Sequence, residues 1–296
     1  MKSLFTIAEL SSDQIVALLD RAESYTDKRT NELVNVTVAT LFMEPSTRTR
    51  LSFELAAHRL GAEVVSFAAE TSSVSKGESL KDTALTVAAL GVDLIVVRHP
   101  HAGSPELVAG WTNRPVVNGG DGRRAHPTQT LLDLLTMRQI FGKIDGLTVG
   151  IVGDVGNSRV ARGLIDALPR MGAGVTLVGP STFTESAPTD LVQVSHRIDE
   201  VIATVDVVYL LRVQKERGAG GGYPSDASYH RRYGLNAARQ GLMKPGAVVM
   251  HPGPINRGVE IASEVADGDR SVLLHQVRNG VPVRMAVMAS LWEGRS

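Results

Sequence analysis

A chain of 296 residues can bury two ordinary cores, and a composition that is 43% hydrophobic but 4% aromatic makes those cores aliphatic. The 31 basic and 31 acidic residues cancel, so there is no general basic field for nucleic acid, and any anion must be held by local clusters. The absence of cysteine excludes disulfides, thiolate metal sites and a cysteine nucleophile.

The first residues, Met1 to Thr6, lead into an amphipathic helix without a signal-peptide apolar region. No apolar run reaches the ~18 residues of a membrane span, so a soluble cytoplasmic protein with no membrane partner is expected. Residues 36–43 are apolar and β-branched, the pattern of a buried strand. Leu51, Leu55, Ala56 and Leu60 then recur at helical spacing until Gly61 ends the run. Between them stands Ser46-Thr47-Arg48-Thr49-Arg50, with Pro45 in the turn and Ser46 expected to cap the helix. A helix start presents free N–H groups and the positive end of a dipole. Two arginines and three hydroxyls at that point make an anion site, and a phosphate suits it.

Alternation continues with strands over 63–67, 92–98 and 115–118, a helix over 79–89 and a glycine turn over 119–122. A helix is expected over 127–141, and 142–146 is the domain boundary. Further strands fall at 147–153, 174–178, 205–211 and 247–250, and 281–292 is helical. Strands separated by helices imply a parallel sheet covered on both faces. The fold class is therefore α/β, two doubly wound parallel-sheet domains over 1–141 and 142–280, with the ligand in the cleft between them.

Polar residues collect where the strands end. Glu44 to Arg50 follow the first strand, Arg98 and His99 end another, and Asn118 leads to His126 and Gln129. In the second half Gly153 to Arg159, Arg212 to Arg217 and His251 to Arg257 follow strands in the same way. Open parallel sheets bind ligands at these ends. Gly150, Gly153 and Gly156 fall three apart, which does not fit the G-x-G-x-x-G dinucleotide fingerprint, and Arg159 near a helix start suits a carboxylate as well as a phosphate. His126, one residue before its helix with Gln129 one turn on, shares a strand-end face with Arg48 and Arg98. A histidine beside arginines is neutral and can donate to a developing oxyanion. His99 and His101 lack a third metal ligand, and no G-x-S-x-G elbow marks a serine nucleophile. The polar run 72–78 is either a solvent loop or a lid that brings Lys76 to the ligand.

Taken together, S-T-R-T-R followed by L-S-F-E, then S-K-G-E, H-P-T-Q, R-V-Q-K-E-R and H-P-G-P-x-N-R-G-V-E-I resemble the aspartate carbamoyltransferase family over nearly the whole chain. The resemblance implies a carbamoyl-phosphate domain, an aspartate domain and a last helix, about 281–296, that returns to the first domain. It implies transfer of the carbamoyl group of carbamoyl phosphate to the amine of L-aspartate, without metal or cofactor, in a homotrimer with active sites shared between subunits. Ser46, Thr47, Arg48 and Thr49 would take the phosphate, and Arg98, His126 and Gln129 the carbamoyl end, where Arg48 and Thr49 also reach the carbonyl oxygen. The backbone of Gly253 and Pro254 would orient the carbamoyl nitrogen and the amine. Lys76, with Ser72, would enter from the neighbouring subunit, and Arg159, Arg212 and Gln214 would grip the aspartate. Glu44 would pair with Arg159 and Arg217 on domain closure, with Glu216 bracing Arg212; Arg50 braces its helix.

The nearest rival, an ornithine carbamoyltransferase, usually shows H-C-L-P where this chain has His251-Pro252-Gly253-Pro254, and Arg212-Val213-Gln214 suits a second carboxylate. A non-catalytic paralogue would be expected to have lost phosphate-site residues, whereas every matched position here carries the family's residue type. One departure is Gly218-Ala219-Gly220-Gly221-Gly222, where the family has bulkier residues over the aspartate; small residues raise the entropy of ordering such a loop. The H-P-G-P-x-N-R-G form resembles bacterial members that associate with dihydroorotase and not those with a zinc-bearing regulatory chain.

Overall fold

The computed structural model describes residues 1–68, 77–184, 190–213 and 225–295. Ser72, Lys76, Gln214, Glu216, Arg217 and the 218–222 run lie outside the described residues. The chain divides into two compact units, Met1–Leu135 with Val277–Ser296, and Thr136–Gln276.

The first unit starts with α1 (Ser12–Ser24), whose start is fixed by a capping box between Ser11 and Gln14. There follow β1 (Thr37–Phe42), α2 (Thr47–Arg59), β2 (Glu63–Ala68), α3 (Leu80–Ala89), β3 (Leu94–His99), α4 (Ser104–Thr112), β4 (Val116–Asp121) and α5 (Pro127–Phe141). The four strands form a parallel sheet in the order β2-β1-β3-β4. Ala39, Leu41, Ile95 and Val97 pack beneath Ala84 and Val87 of α3 and Val108 of α4. Burying side chains of this size is worth roughly 1.5–3 kcal/mol each, so the apolar runs that mark the strands also hold the sheet.

Two expectations need correction here. Leu51 and Leu55 are exposed, and the buried stripe of α2 is Thr49, Phe53, Ala56 and Ala57. Of the residues spaced at the helical period Ala56 and Leu60 are buried, whereas Leu51 and Leu55 each lie roughly 200° around the helix from Phe53, whose aromatic side chain faces the core. The stretch 119–122 is not wholly turn, because β4 continues through Asp121.

The second unit holds β5 (Thr148–Val152), α6 (Arg159–Arg170), β6 (Gly174–Val178), α7 (Ser181–Thr184), β7 (Gln193–Ser195) and α8 (Ile198–Ile202). It continues with β8 (Val207–Leu210), α9 (Asp226–Tyr233), α10 (Ala237–Leu242), β9 (Val248–Met250) and α11 (Ser263–Ala266). Its parallel sheet has the order β7-β6-β5-β8-β9, with Val152, Val208 and Leu210 in a core completed by Ile198, Ile202, Tyr229 and Val265.

The last helix, α12 (Leu273–Glu293), starts earlier than its pattern suggests and carries Pro282 inside it. Its C-terminal part belongs to the first unit, as expected of a returning helix. Arg21 of α1 forks onto the Glu293 carboxylate at 2.6 and 2.7 Å and reaches Glu32 at 2.7 Å, while the Tyr25 hydroxyl donates to Glu32 at 2.6 Å. Hydrogen bonds from Arg21 hold the Glu293 carboxyl below its ordinary 4.5; at Glu32 those from Tyr25 and Arg21 outweigh burial. A carboxylate depressed on folding stabilises above its unfolded pKa and loses that contribution as pH falls through its folded value. Arg21→Met therefore costs about 1 kcal/mol at pH 7, modest because both carboxylates are partly exposed, and progressively less as pH falls below the ordinary glutamate value and through the lowered folded ones. Urea unfolding of both proteins at neutral and at progressively lower pH measures this; a gap that does not narrow would contradict it.

Candidate functional site

In the first sheet β1 leads outward to β2, and β3 leads the other way to β4, so the switch point lies between β1 and β3. The segments leaving these two strands carry Arg48 and Arg98. Phe42 and Arg98 are the last paired residues of β1 and β3, and the Met43 N–H donates to the Arg98 carbonyl at 2.8 Å. The turn into α2 is thus tied to β3 beyond the ladder itself.

Ser46 occupies the N-cap position of α2, with extended backbone, but its side chain makes no capping hydrogen bond. This corrects the expected cap. Its hydroxyl and the first N–H groups of α2 are not spent on each other, which suits an anion better than a closed cap does. Thr47 and Arg48 are exposed on the first turn, Thr49 is buried, and Arg50 lies 3.7 Å from Glu54 one turn along, the bracing role foreseen for it. Arg98 is buried, donates to the Gly119 carbonyl at 3.2 Å and stands 3.5 Å from Glu44. Its guanidinium is therefore held from two sides at the sheet edge.

The turn from β4 into α5 is built on Asn118 and Asp121, both fully buried. The Asn118 amide donates to Asp121 at 2.8 Å, and Asp121 accepts from the N–H groups of Gly103 at 2.8 Å and Ala125 at 3.1 Å. This brace delivers His126 to the residue before α5, where its carbonyl takes the N–H groups of Gln129 and Thr130. Both His126 and Gln129 are buried. Gln129 donates through Nε2 to Asp133 at 3.0 Å. Nearby, burial and the neighbouring His101 push the His99 imidazole down, and its Nδ1 accepts from the His101 N–H at 3.0 Å. His99 thus shapes a loop. Among the described residues, no group of histidine and acidic side chains could hold a metal ion.

The second sheet repeats the logic with its switch point between β5 and β8, and Arg159 and Arg212 follow those strands. Gly153 ends β5 with φ +127°, and an added Cβ would lie 3.1 Å from the Leu211 Cβ, the Leu211 carbonyl and the Tyr229 hydroxyl. Glycine is needed there both for conformation and for space. Ser158 caps α6 by accepting from the Ala161 N–H at 3.1 Å, so Arg159 opens the helix from a buried position. Arg212 is half-buried just beyond β8, where the Leu211 N–H still pairs with the Val152 carbonyl at 2.8 Å.

After β9 the chain turns through His251, whose Nδ1 accepts from the Gly253 N–H at 2.8 Å. That bond requires the neutral ring to carry its proton on Nε2, which lies 3.3 Å from the buried Glu260 carboxylate. Glu260 in turn accepts from the Asn256 N–H. Residues 251–256 are bracketed from both ends, with Gly253 at φ +64° and a cis peptide to Pro254. Each unit therefore presents two arginines astride a switch point and a braced turn on the adjacent strand. The motifs reveal the arginines, His126 and the turns; they do not reveal Asn118–Asp121, Glu260 or Asp133 as the supports.

Two family models match the chain in succession. One for the carbamoyl-P binding domain of aspartate/ornithine carbamoyltransferases matches residues 2–139, and one for the Asp/Orn binding domain matches residues 145–291. The chain is 49% identical over 304 residues to the aspartate carbamoyltransferase catalytic subunit of Acidothermus cellulolyticus, spanning 99% of this chain and 93% of that protein. It is 50% identical over 302 residues to the same subunit from Gluconobacter oxydans, spanning 99% and 96%. Among solved structures, aspartate transcarbamoylase from Trypanosoma cruzi with carbamoyl phosphate has a TM-score of 0.90 at 33% identity, covering 98% of this chain and 95% of that one. The same enzyme with N-(phosphonacetyl)-L-aspartic acid has a TM-score of 0.88 at 33% identity, with coverage of 98% and 95%.

Proposed function

The chain belongs to the aspartate carbamoyltransferase family, and we infer from that membership and its two arginine pairs that it carbamoylates L-aspartate from carbamoyl phosphate. The products are N-carbamoyl-L-aspartate and phosphate, the committed step of de novo pyrimidine biosynthesis. The observation that carries the reading is the doubled switch-point geometry: one anion-binding half-site on each unit, for a reaction that joins two anionic substrates.

In this reading the open start of α2 takes the phosphate through Ser46, Thr47, Arg48 and Thr49. Arg98, His126 and Gln129 hold the carbamoyl group. Arg159, Arg212 and Gln214 take the aspartate carboxylates, and the braced turn at Gly253 and Pro254 orients the carbamoyl nitrogen and the attacking amine. The amine adds to the carbamoyl carbon, and the resulting oxyanion is met by Arg48, Thr49 and His126; such a donor is worth roughly 3–4 kcal/mol in other enzymes. The tetrahedral intermediate then expels phosphate, which takes up a proton itself. Holding both reactants in register supplies much of the remaining acceleration. Glu44 pairs with Arg159 and Arg217 on domain closure, and Glu216 braces Arg212.

The enzyme works as a cytoplasmic homotrimer, with Ser72 and Lys76 completing a neighbour's site. Support comes from the apolar side chains of Leu51 and Leu55 on α2, which are 53% and 41% exposed. The chain leaves β2 directly into the residues that contain Ser72 and Lys76. Replacing Leu51 and Leu55 together by glutamate is expected to yield folded monomers with activity lowered at least tenfold, read by sedimentation and initial rates; an intact, active trimer would refute this interface. Dihydroorotase is the partner that the His251–Arg257 turn favours, and copurification of the two chains tests it.

Initial rates with carbamoyl phosphate and either aspartate or ornithine test the function itself. Carbamoylation of aspartate alone is expected, and turnover of ornithine in its place would transfer the chain to the sister activity.

A further inference from the structure

Helix α5 is buried on nearly all sides from Pro127 to Met137, and Asp133 within it is fully buried. A buried carboxylate without compensation is costly, so its surroundings should supply positive charge or donors. Gln129, one turn earlier, supplies one donor at 3.0 Å. The charge comes from α12, where Arg284, buried to 3% exposure, interacts electrostatically with Asp133. Burial pushes the Arg284 guanidinium down to about 9, against the opposing pull of Asp133, which still leaves it a cation at neutral pH. The guanidinium carbon sits 4.8 Å from the centre of the Phe53 ring, on the buried face of α2. Gly280, one turn before Arg284, makes room for this: a Cβ there would run into Arg284 Nη1. Glycine is a poor helix former compared with alanine, and here its missing side chain lets the guanidinium fold back along α12.

An ionised carboxylate only accepts hydrogen bonds, so the end of the Gln129 amide that faces Asp133 must be its nitrogen. The carbonyl end, Oε1, is therefore the one left to a ligand. We propose that Asp133 and Arg284 are positioning residues for the donor substrate: Asp133 holds the Gln129 amide by its nitrogen so that Oε1 accepts from the carbamoyl N–H, and Arg284 supplies the buried positive charge that balances Asp133. The proposal rests on the reading of Gln129 as a carbamoyl ligand. It gives α12 a task beyond closing the first unit, because a residue near the end of the chain fixes the polarity of a group at the start of α5.

Acetyl phosphate carries a methyl group in place of the carbamoyl amine, and inorganic phosphate lacks the acyl group altogether, so the two separate amide recognition from phosphate binding. Dissociation constants for carbamoyl phosphate, acetyl phosphate and inorganic phosphate would be measured by calorimetry on the full-length protein, its Asp133→Asn variant and the double variant Asp133→Asn/Arg284→Gln. The double variant removes both charges together, so it serves if the single one leaves Arg284 too poorly compensated to fold. In either variant the amide can turn over, and carbamoyl phosphate is expected to bind roughly tenfold more weakly. Acetyl phosphate and phosphate should stay within about twofold of the parent protein, since neither uses Oε1 as an acceptor. Equal weakening for all three ligands would indicate a merely structural pair, and no change for any would also overturn the proposal. A parent protein that does not prefer carbamoyl phosphate to acetyl phosphate would remove the reading of Gln129 beneath it, an outcome visible before any variant is made.

Discussion

Arg48→Ala is expected to lower kcat roughly 1,000- to 10,000-fold while leaving the thermal unfolding midpoint nearly unchanged. Arg48 is exposed on the first turn of α2, so little packing is lost, and alanine is the better helix former. What disappears is a charge facing both the phosphate and the oxyanion formed as the amine attacks. An interaction that strengthens in the transition state shows in kcat and not only in KM. Arg50 provides the internal control. It shares the segment and the charge, but it lies along the helix 3.7 Å from Glu54, and Arg50→Ala should leave turnover within about twofold. Initial rates with both substrates saturating compare the two variants. An active Arg48→Ala enzyme, or equal losses from both, would sink the role given to Arg48.

The second large effect is expected at the other half-site. Arg212→Met keeps the length and apolar stem of the side chain but removes the cation that would grip an aspartate carboxylate. Losing one charge-assisted pair in a sheltered site costs about 3 kcal/mol or more, so KM for aspartate should rise over 100-fold. Carbamoyl phosphate binding should change little, because Arg212 is not among the ligands given to it: the side chains proposed for it lie on the first unit, and the Gly253–Pro254 backbone is left as it was. Rates at varied aspartate, with a direct titration of carbamoyl phosphate, measure both. An unchanged KM for aspartate would contradict the assignment, and weakened carbamoyl phosphate binding would contradict the division of labour between the units.

The strands were legible because parallel sheets bury both faces, and an apolar run such as Leu94 to Val97 leaves few alternatives. The clustering of arginines at strand ends was legible because unusual residues are concentrated there in short motifs. The facing of α2 was not, since Leu51 and Leu55 match the helical period as well as Phe53 and Ala56 do. Period alone cannot tell a core face from a surface meant for another subunit. Ser46 has the right residue type for a cap in the right position, yet whether its hydroxyl turns back to the helix depends on three-dimensional surroundings. The three-residue β7 is too short for any pattern, and the start of α12 is hidden by Gly280 and Pro282, which signal a break in the sequence but lie inside a packed helix. Asp133 and Arg284 share no motif, and their electrostatic interaction arises from tertiary packing, which no sequence pattern records.

The central claim is that the two units hold opposite ends of one reacting pair. A crystal structure with N-(phosphonacetyl)-L-aspartate, which joins a phosphonate to an aspartate through the amide, tests it most directly. The phosphonate is expected on the start of α2, at Ser46 to Thr49, and the two carboxylates on Arg159 and Arg212. A ligand bound in the reverse sense, or held by one unit with the other pair of arginines untouched, would contradict it.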